Sequence, residues 1–234
     1  MKSEALAIIP PAIIMATTKH RAVRKGKIPL TVKLAGTAFL AILVPVYWLT
    51  YGPTNFLWFC DAALTITVVG MWRESSLLIS MCAVGILLPQ CLWLADFGGH
   101  FLGFHMLGLT GYMFDPKLSL FTRGLSLFHG WLPMLLIWLL CRLGYDKRAL
   151  TAWTGLAIAL VLACYFFTPP AGAHLVGQNT PVNLNYVYGF NDQQSQHWIN
   201  QNLYVFFLLS VLWLMVYLPT HLVLRKCFAA SPLA

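Results

Sequence analysis

Six apolar stretches, at about 30–51, 54–72, 76–97, 119–141, 150–168 and 202–224, occupy most of this chain, and each is long enough to cross the hydrocarbon core of a bilayer. Their runs of Leu, Ala, Ile, Val and Phe show no period-two alternation, which argues against a β-barrel and for helices that satisfy their own backbone groups. Of the 234 residues 59% are hydrophobic and 9% charged, and the mean hydropathy is +0.72, well outside the range of soluble domains. The expected fold is all-α: a polytopic membrane bundle of about six transmembrane helices with no separate soluble domain.

Charge divides the chain. Residues 1–29 form a basic N-terminal segment, 30–224 the transmembrane domain, and 225–234 a short tail. Within the first segment, residues 5–16 are apolar but too short to span, and Pro10 and Pro11 would break a helix in their middle, which suggests a place on the membrane surface. The Lys and Arg residues at 19–27, Arg73, Arg142, Lys147, Arg148, Arg225 and Lys226 all fall on one side of a six-span topology, whereas residues 169–201 carry neither Lys nor Arg. The positive-inside rule therefore places both termini in the cytoplasm and the loops 98–118 and 169–201 outside, in a multi-pass protein of the plasma (inner) membrane. The net charge of +8 is accounted for by this asymmetry and gives no reason to expect nucleic acid; membrane lipids are the expected partners.

Ionisable side chains inside a span are costly and mark candidate functional positions. Lys33, Asp96, Arg123 and His221 stand near span ends, within reach of the interface, whereas Asp61 and His129 are deeper. At about 100° per residue, Ser119, Thr122, Ser126 and His129 fall on one face of the fourth span, and Thr54, Asp61 and Thr65 on one face of the second. Cys60 points about 100° away from Asp61. Both sites lie in the outer half of the bundle, where the polar loop with Asn183, Asn185 and Asn191 would cap them. Buried polar residues often serve only to glue membrane helices together, and a lone Asp with a lone His fits that role too.

Other chemistry is less well supported. Six cysteines lie within or at the cytoplasmic ends of spans, so no disulfide framework is implied. Asp96, His100 and His105 could supply three metal ligands, but their spacing matches no defined motif, and no metal or cofactor is expected. Pro45, Pro89 and Pro133 would kink spans one, three and four, which suits a transport route or an enzyme pocket equally. A small transporter or a lipid-binding structural protein is thus the non-enzymatic alternative. Tyr47, Trp48, Tyr51, Trp93, Tyr112, Trp198 and Tyr204 read as an aromatic belt at the outer interface.

Three stretches, LWFCD at 57–61, FHG at 128–130 and VNLNYVYG at 182–189, occur in the order and spacing that resemble the YwaF-like integral membrane family. Wider relatives of that family include vertebrate lipid-modifying enzymes: a cysteine-dependent phospholipid acyltransferase and androgen-induced hydrolases of fatty-acid esters. The chain departs from the pattern at Trp58, where relatives tend to have a histidine. The resemblance implies acyl transfer to, or hydrolysis of, a lipid ester, with Cys60 as the nucleophile and His129 as its base. Asp61 would then fix the imidazole tautomer, with Asn183, Asn185, Tyr186, Ser126 and Thr65 around the substrate and Thr65 or Thr54 as substitute nucleophiles.

Overall fold

In the computed structural model, which describes residues 27–104, 108–173 and 179–228, the regular elements are all helical. They are α1 (Leu30–Tyr51), α2 (Phe59–Arg73), α3 (Ser76–Phe101), α4 (Leu120–Leu125), α5 (Phe128–Leu143), α6 (Ala149–Phe167), α7 (Gln201–Val211) and α8 (Leu218–Cys227). Five stretches are long and apolar enough to cross a membrane: α1, α3, α4 with α5, α6, and α7 with α8. The chain is an integral, multi-pass membrane protein. The surface segment expected at 5–16 and the end of the tail at 229–234 lie outside the described residues.

The second apolar stretch is not the continuous helix that its hydropathy suggests. It begins as a 3₁₀ turn at Pro53–Leu57, passes through an extended Trp58 (φ −58°, ψ 137°), and becomes α-helical only at Phe59. The 15 residues of α2 rise about 22 Å, short of the roughly 30 Å core, and the 3₁₀ turn supplies the difference. The segment still returns to the level at which α1 began. Glu74, at its end, accepts hydrogen bonds from the Ile28 backbone N–H (3.2 Å) and from Lys33 Nζ (2.7 Å).

The hydrogen bond from Lys33 and the adjacent positive charge hold the Glu74 carboxyl below its ordinary value of 4.5. A carboxylate with a lowered folded-state pKa contributes stability above its unfolded value and loses it as pH falls through the folded one. Glu74→Gln is therefore expected to remove an acid-sensitive part of the stability below about pH 4.5, read from thermal unfolding across pH; a wild-type melting profile unchanged by the substitution would contradict it.

Contacts between chain segments define one end of the bundle. Arg142 Nη1 reaches the Lys27 carbonyl at 3.4 Å, Tyr145 N–H reaches the Phe228 carbonyl at 3.3 Å, and Asp146 N–H reaches Ser80 Oγ at 3.0 Å. The first and last described residues thus lie together at an end that also carries Lys33, Arg73, Lys147, Arg148, Arg225 and Lys226, here termed the basic end. The described parts of the loops between α3 and α4 and between α6 and α7 lie at the other end.

The bundle is built around α3, which is buried from Ile79 to Ile86 and again at Gln90, Trp93 and Asp96, and packs against α2, α5 and α6. Its Gly85 faces Trp153 of α6 so closely that the indole takes the space a side chain would occupy. Pro45, Pro89 and Pro133 lie inside α1, α3 and α5 as the sequence suggests. The fourth span breaks at Ser126–Leu127, between α4 and α5. The last span widens to a π-turn at Leu212–Tyr217 just before Pro219, whose missing N–H removes a rung of the ladder.

The aromatic belt is smaller than expected. Trp48 and Trp198 are exposed, but Tyr47, Trp93 and Tyr204 are buried in the interior. Hydropathy cannot separate an interfacial aromatic from one that packs inside and carries a polar tip.

Candidate functional site

Asp61 enters the interior in the first turn of α2, 4% exposed. The break at Trp58 sets its direction, because it starts the helix one residue later. Asn55, from the 3₁₀ turn, donates to Asp61 Oδ2 at 3.4 Å, and the Cys60 thiol lies 3.9 Å from the same oxygen. The other oxygen, Oδ1, is buried and makes no hydrogen bond among the described residues. A carboxylate in this setting is costly unless paired, and Asp61 has no ion pair within the described chain.

Across from Asp61 stand residues of α1, α4 and the 102–119 loop. The Tyr47 hydroxyl lies 2.6 Å from Ser126 Oγ, with Asp61 and Tyr51 nearby. Tyr112 reaches toward the same serine and toward Trp93, close to Cys60. Ser126 closes α4 with its backbone carbonyl turned to His129, whose Nδ1 lies 2.7 Å away. A carbonyl only accepts, so Nδ1 carries the proton in this contact and Nε2 is the basic nitrogen. The imidazole stacks on Trp93 (4.8 Å, 18°) and leans on Phe128.

Cys60, Asp61, Ser126 and His129 therefore belong to one polar region, but not as the expected dyad. No hydrogen bond joins His129 to Cys60 or Asp61 among the described residues; Ser126 meets His129 through its carbonyl and Tyr47 through its hydroxyl. The fourth-span stripe is interrupted, since Ser119 caps α4 by accepting from Thr122 N–H (3.0 Å) and the helix then breaks at Ser126. The second-span stripe fails as well: Thr54 precedes the helix, and Thr65 is exposed with its hydroxyl donating back to the Asp61 carbonyl (3.0 Å). The sequence does not mark Asn55, Tyr47 and Tyr112 as part of this region, because the first sits in a turn that hydropathy hides and the other two resemble belt aromatics. Polarity inside an apolar run was the only available signal for Asn55.

The 168–200 loop closes the region through its asparagines. Asn185, at a left-handed φ of 53°, accepts from the Phe59 N–H (3.1 Å) and donates to the Leu57 carbonyl (2.8 Å) and Cys164 Sγ (3.3 Å). It bridges the backbone on both sides of Trp58 and so satisfies the groups that the break would leave without partners. Asn183, at φ 52°, accepts from Tyr188 N–H and donates to the carbonyls of Gly189 (3.0 Å) and Asn191 (2.9 Å). The amides expected at the substrate are thus engaged in folding the loop. Tyr186 packs edge-on against Trp58, and its carbonyl accepts from Tyr204 OH (3.1 Å).

Among the described residues no group of three His, Cys, Asp or Glu side chains could hold a metal ion. Asp96 accepts from Gly108 N–H, Thr110 N–H and Thr110 Oγ1, which anchors the loop after α3, while His100 stacks on Phe114. His105 lies outside the described residues. The six cysteines are all free thiols. The chain matches no protein-family model, no curated protein and no solved structure.

Proposed function

We propose that this membrane protein transfers or hydrolyses the acyl group of a lipid ester through Cys60, with Asp61 as the group that takes the thiol proton. The observation that supports this reading is the partly buried Cys60 thiol, 3.9 Å from Asp61 Oδ2, beside an Oδ1 without a partner. As Sγ bonds to the ester carbonyl carbon, its proton passes to Asp61; the carbon–oxygen bond then breaks and Asp61 returns the proton to the departing alcohol. A thioester remains on Cys60. Water or a second lipid hydroxyl attacks the thioester carbon and gives its proton to His129 Nε2; the carbon–sulfur bond then breaks, the proton returns to Sγ to restore the thiol, and a free acid or a new ester is released. A neighbouring carboxylate does not favour a standing thiolate, so proton transfer must accompany bond formation.

In this reading the chain is a distant member of the YwaF-like family, on the strength of LWFCD, FHG and VNLNYVYG, with its basic end in the cytoplasm of a plasma membrane. The test compares purified wild type, Cys60→Ala, Asp61→Asn and His129→Ala on mixed phospholipids and acyl esters. Cys60→Ala and Asp61→Asn are expected to lower turnover by about a hundredfold or more, and an acyl adduct on Cys60 should be trapped by mass spectrometry. Full turnover in Cys60→Ala would overturn the thiol mechanism.

A second reading, a small proton-coupled transporter, draws on the same Oδ1, since ionisable groups with open positions inside a bundle often serve as proton relays. Proton-coupled uptake in proteoliposomes that is lost in Asp61→Asn and kept in Cys60→Ala, with no acyl adduct, would select it.

A further inference from the structure

Arg123 sits on α4, one turn before Ser126, and among the described residues its guanidinium uses one nitrogen. Nη1 donates to the Met113 carbonyl at 3.0 Å. Nε is buried and makes no hydrogen bond among the described residues, and no acceptor there meets Nη2. Nε–H and one Nη2–H project along the same edge of the planar group, the edge that fits two oxygens of a carboxylate or phosphate. The chain shows this fit elsewhere: Arg148 grips Asp146 through Nε (3.1 Å) and Nη2 (2.8 Å).

Among the described residues no acid pairs with Arg123. At this end of the bundle Asp96 holds the Gly108–Thr110 turn, Asp115 accepts from the Lys117 N–H, and Asp192 accepts from Asn183. The ion pairs of the described chain, Lys33–Glu74 and Arg148–Asp146, both lie at the basic end. A buried cationic donor without an acceptor carries the full desolvation cost, and in native proteins such a group calls for an ion or water. The surroundings say from which side it comes. Leu120 and Leu127, three residues before and four after Arg123 and so on its side of the helix, are 78% and 46% exposed, so this flank of α4 is apolar and open, as a lipid-contacting surface would be.

We propose that the Nε–Nη2 edge of Arg123 binds the phosphate oxyanion of a membrane lipid headgroup in the leaflet at the end opposite the basic one. Arginine at the depth of the headgroups meets phosphate oxygens directly, and a bidentate grip converts an unpaired charge into a specific contact. The binding stands apart from acyl chemistry at Cys60, because holding a headgroup requires no reaction.

Native mass spectrometry of the full-length protein in detergent tests it, with dioleoyl phosphatidylglycerol, dioleoylglycerol and inorganic phosphate as separate probes. Wild type should retain one phosphatidylglycerol and no dioleoylglycerol. Arg123→Gln should weaken retention about tenfold, and Arg123→Lys, which keeps the charge but not the fork, should fall between. Lys117→Gln removes an exposed neighbouring charge and should stay within about twofold of wild type. Equal losses in Arg123→Gln and Lys117→Gln would reduce the effect to diffuse attraction and overturn the site. Wild-type retention in either Arg123 variant would overturn it too, and the lysine variant decides if the glutamine variant fails to fold. Displacement of the lipid by an equal concentration of inorganic phosphate would overturn the headgroup assignment in favour of a free anion.

Discussion

Asn185→Ala is expected to destabilise the protein by roughly 2–5 kcal/mol, because it strands the Phe59 N–H and the Leu57 carbonyl at a depth where water cannot replace their partner. The residue also occupies a left-handed φ of 53°, which asparagine tolerates far better than most side chains, so alanine adds backbone strain to the lost hydrogen bonds. Thermal unfolding in detergent should show a large drop in midpoint. Asn185→Asp separates the causes: it retains the backbone preference and the acceptor for Phe59 but loses the donor to Leu57. A midpoint within a degree of wild type in Asn185→Ala would mean that the break at Trp58 does not depend on this clamp.

Gly85→Ala should be as damaging for the opposite reason. A Cβ at position 85 would overlap the ring of Trp153, and the indole is fully buried, so neither side can retreat. Overpacking of this kind costs about 1–3 kcal/mol in ordinary cores, and the severity of this contact places it at or above the upper end. The expected outcome is poor yield and a sharply lowered melting midpoint. Shrinking the partner should restore part of it: Gly85→Ala with Trp153→Leu is expected to be more stable than Gly85→Ala alone, a non-additivity that marks direct contact. A double variant no better than the single one would show that α3 and α6 do not meet there as described.

These two positions differ in how far the sequence exposes them. Nothing in the third apolar stretch distinguishes Gly85 from any other small residue, and only the approach of a helix 68 positions later in its partner residue, Trp153, gives it a role. Asn185 stands out in the sequence as a polar loop residue, a type that suits a substrate contact. Its side chain is spent on the backbone of the second span, 126 and 128 positions away. A side-chain amide binds a ligand and a stranded peptide group with the same chemistry, so residue type could not choose between them.

The candidate site was half legible for a related reason. An aspartate, a cysteine and a histidine in apolar runs are visible as exceptions, since lipid penalises each of them. Ideal helical phase predicts their mutual arrangement only as far as the helix runs unbroken. The break at Trp58 removes Thr54 from the face of Asp61, and the break at Ser126 separates Ser119 and Thr122 from His129. At Trp58 the freed backbone groups pass to Asn185, from a loop far along the chain, whereas at Ser126 they stay local and the His129 ring meets the Ser126 carbonyl.

The sequence by itself determined that the chain crosses a membrane several times as helices, because the bilayer filters hydrophobic length and internal backbone satisfaction without regard to neighbours. It also determined which ends carry the basic residues. Only the tertiary structure decided that the second apolar stretch is part 3₁₀ turn and part helix, that Ser126 meets both Tyr47 and His129, and that Arg123 Nε finds no acceptor among the described residues. Those outcomes rest on contacts between residues far apart in the chain, which local periodicity does not encode.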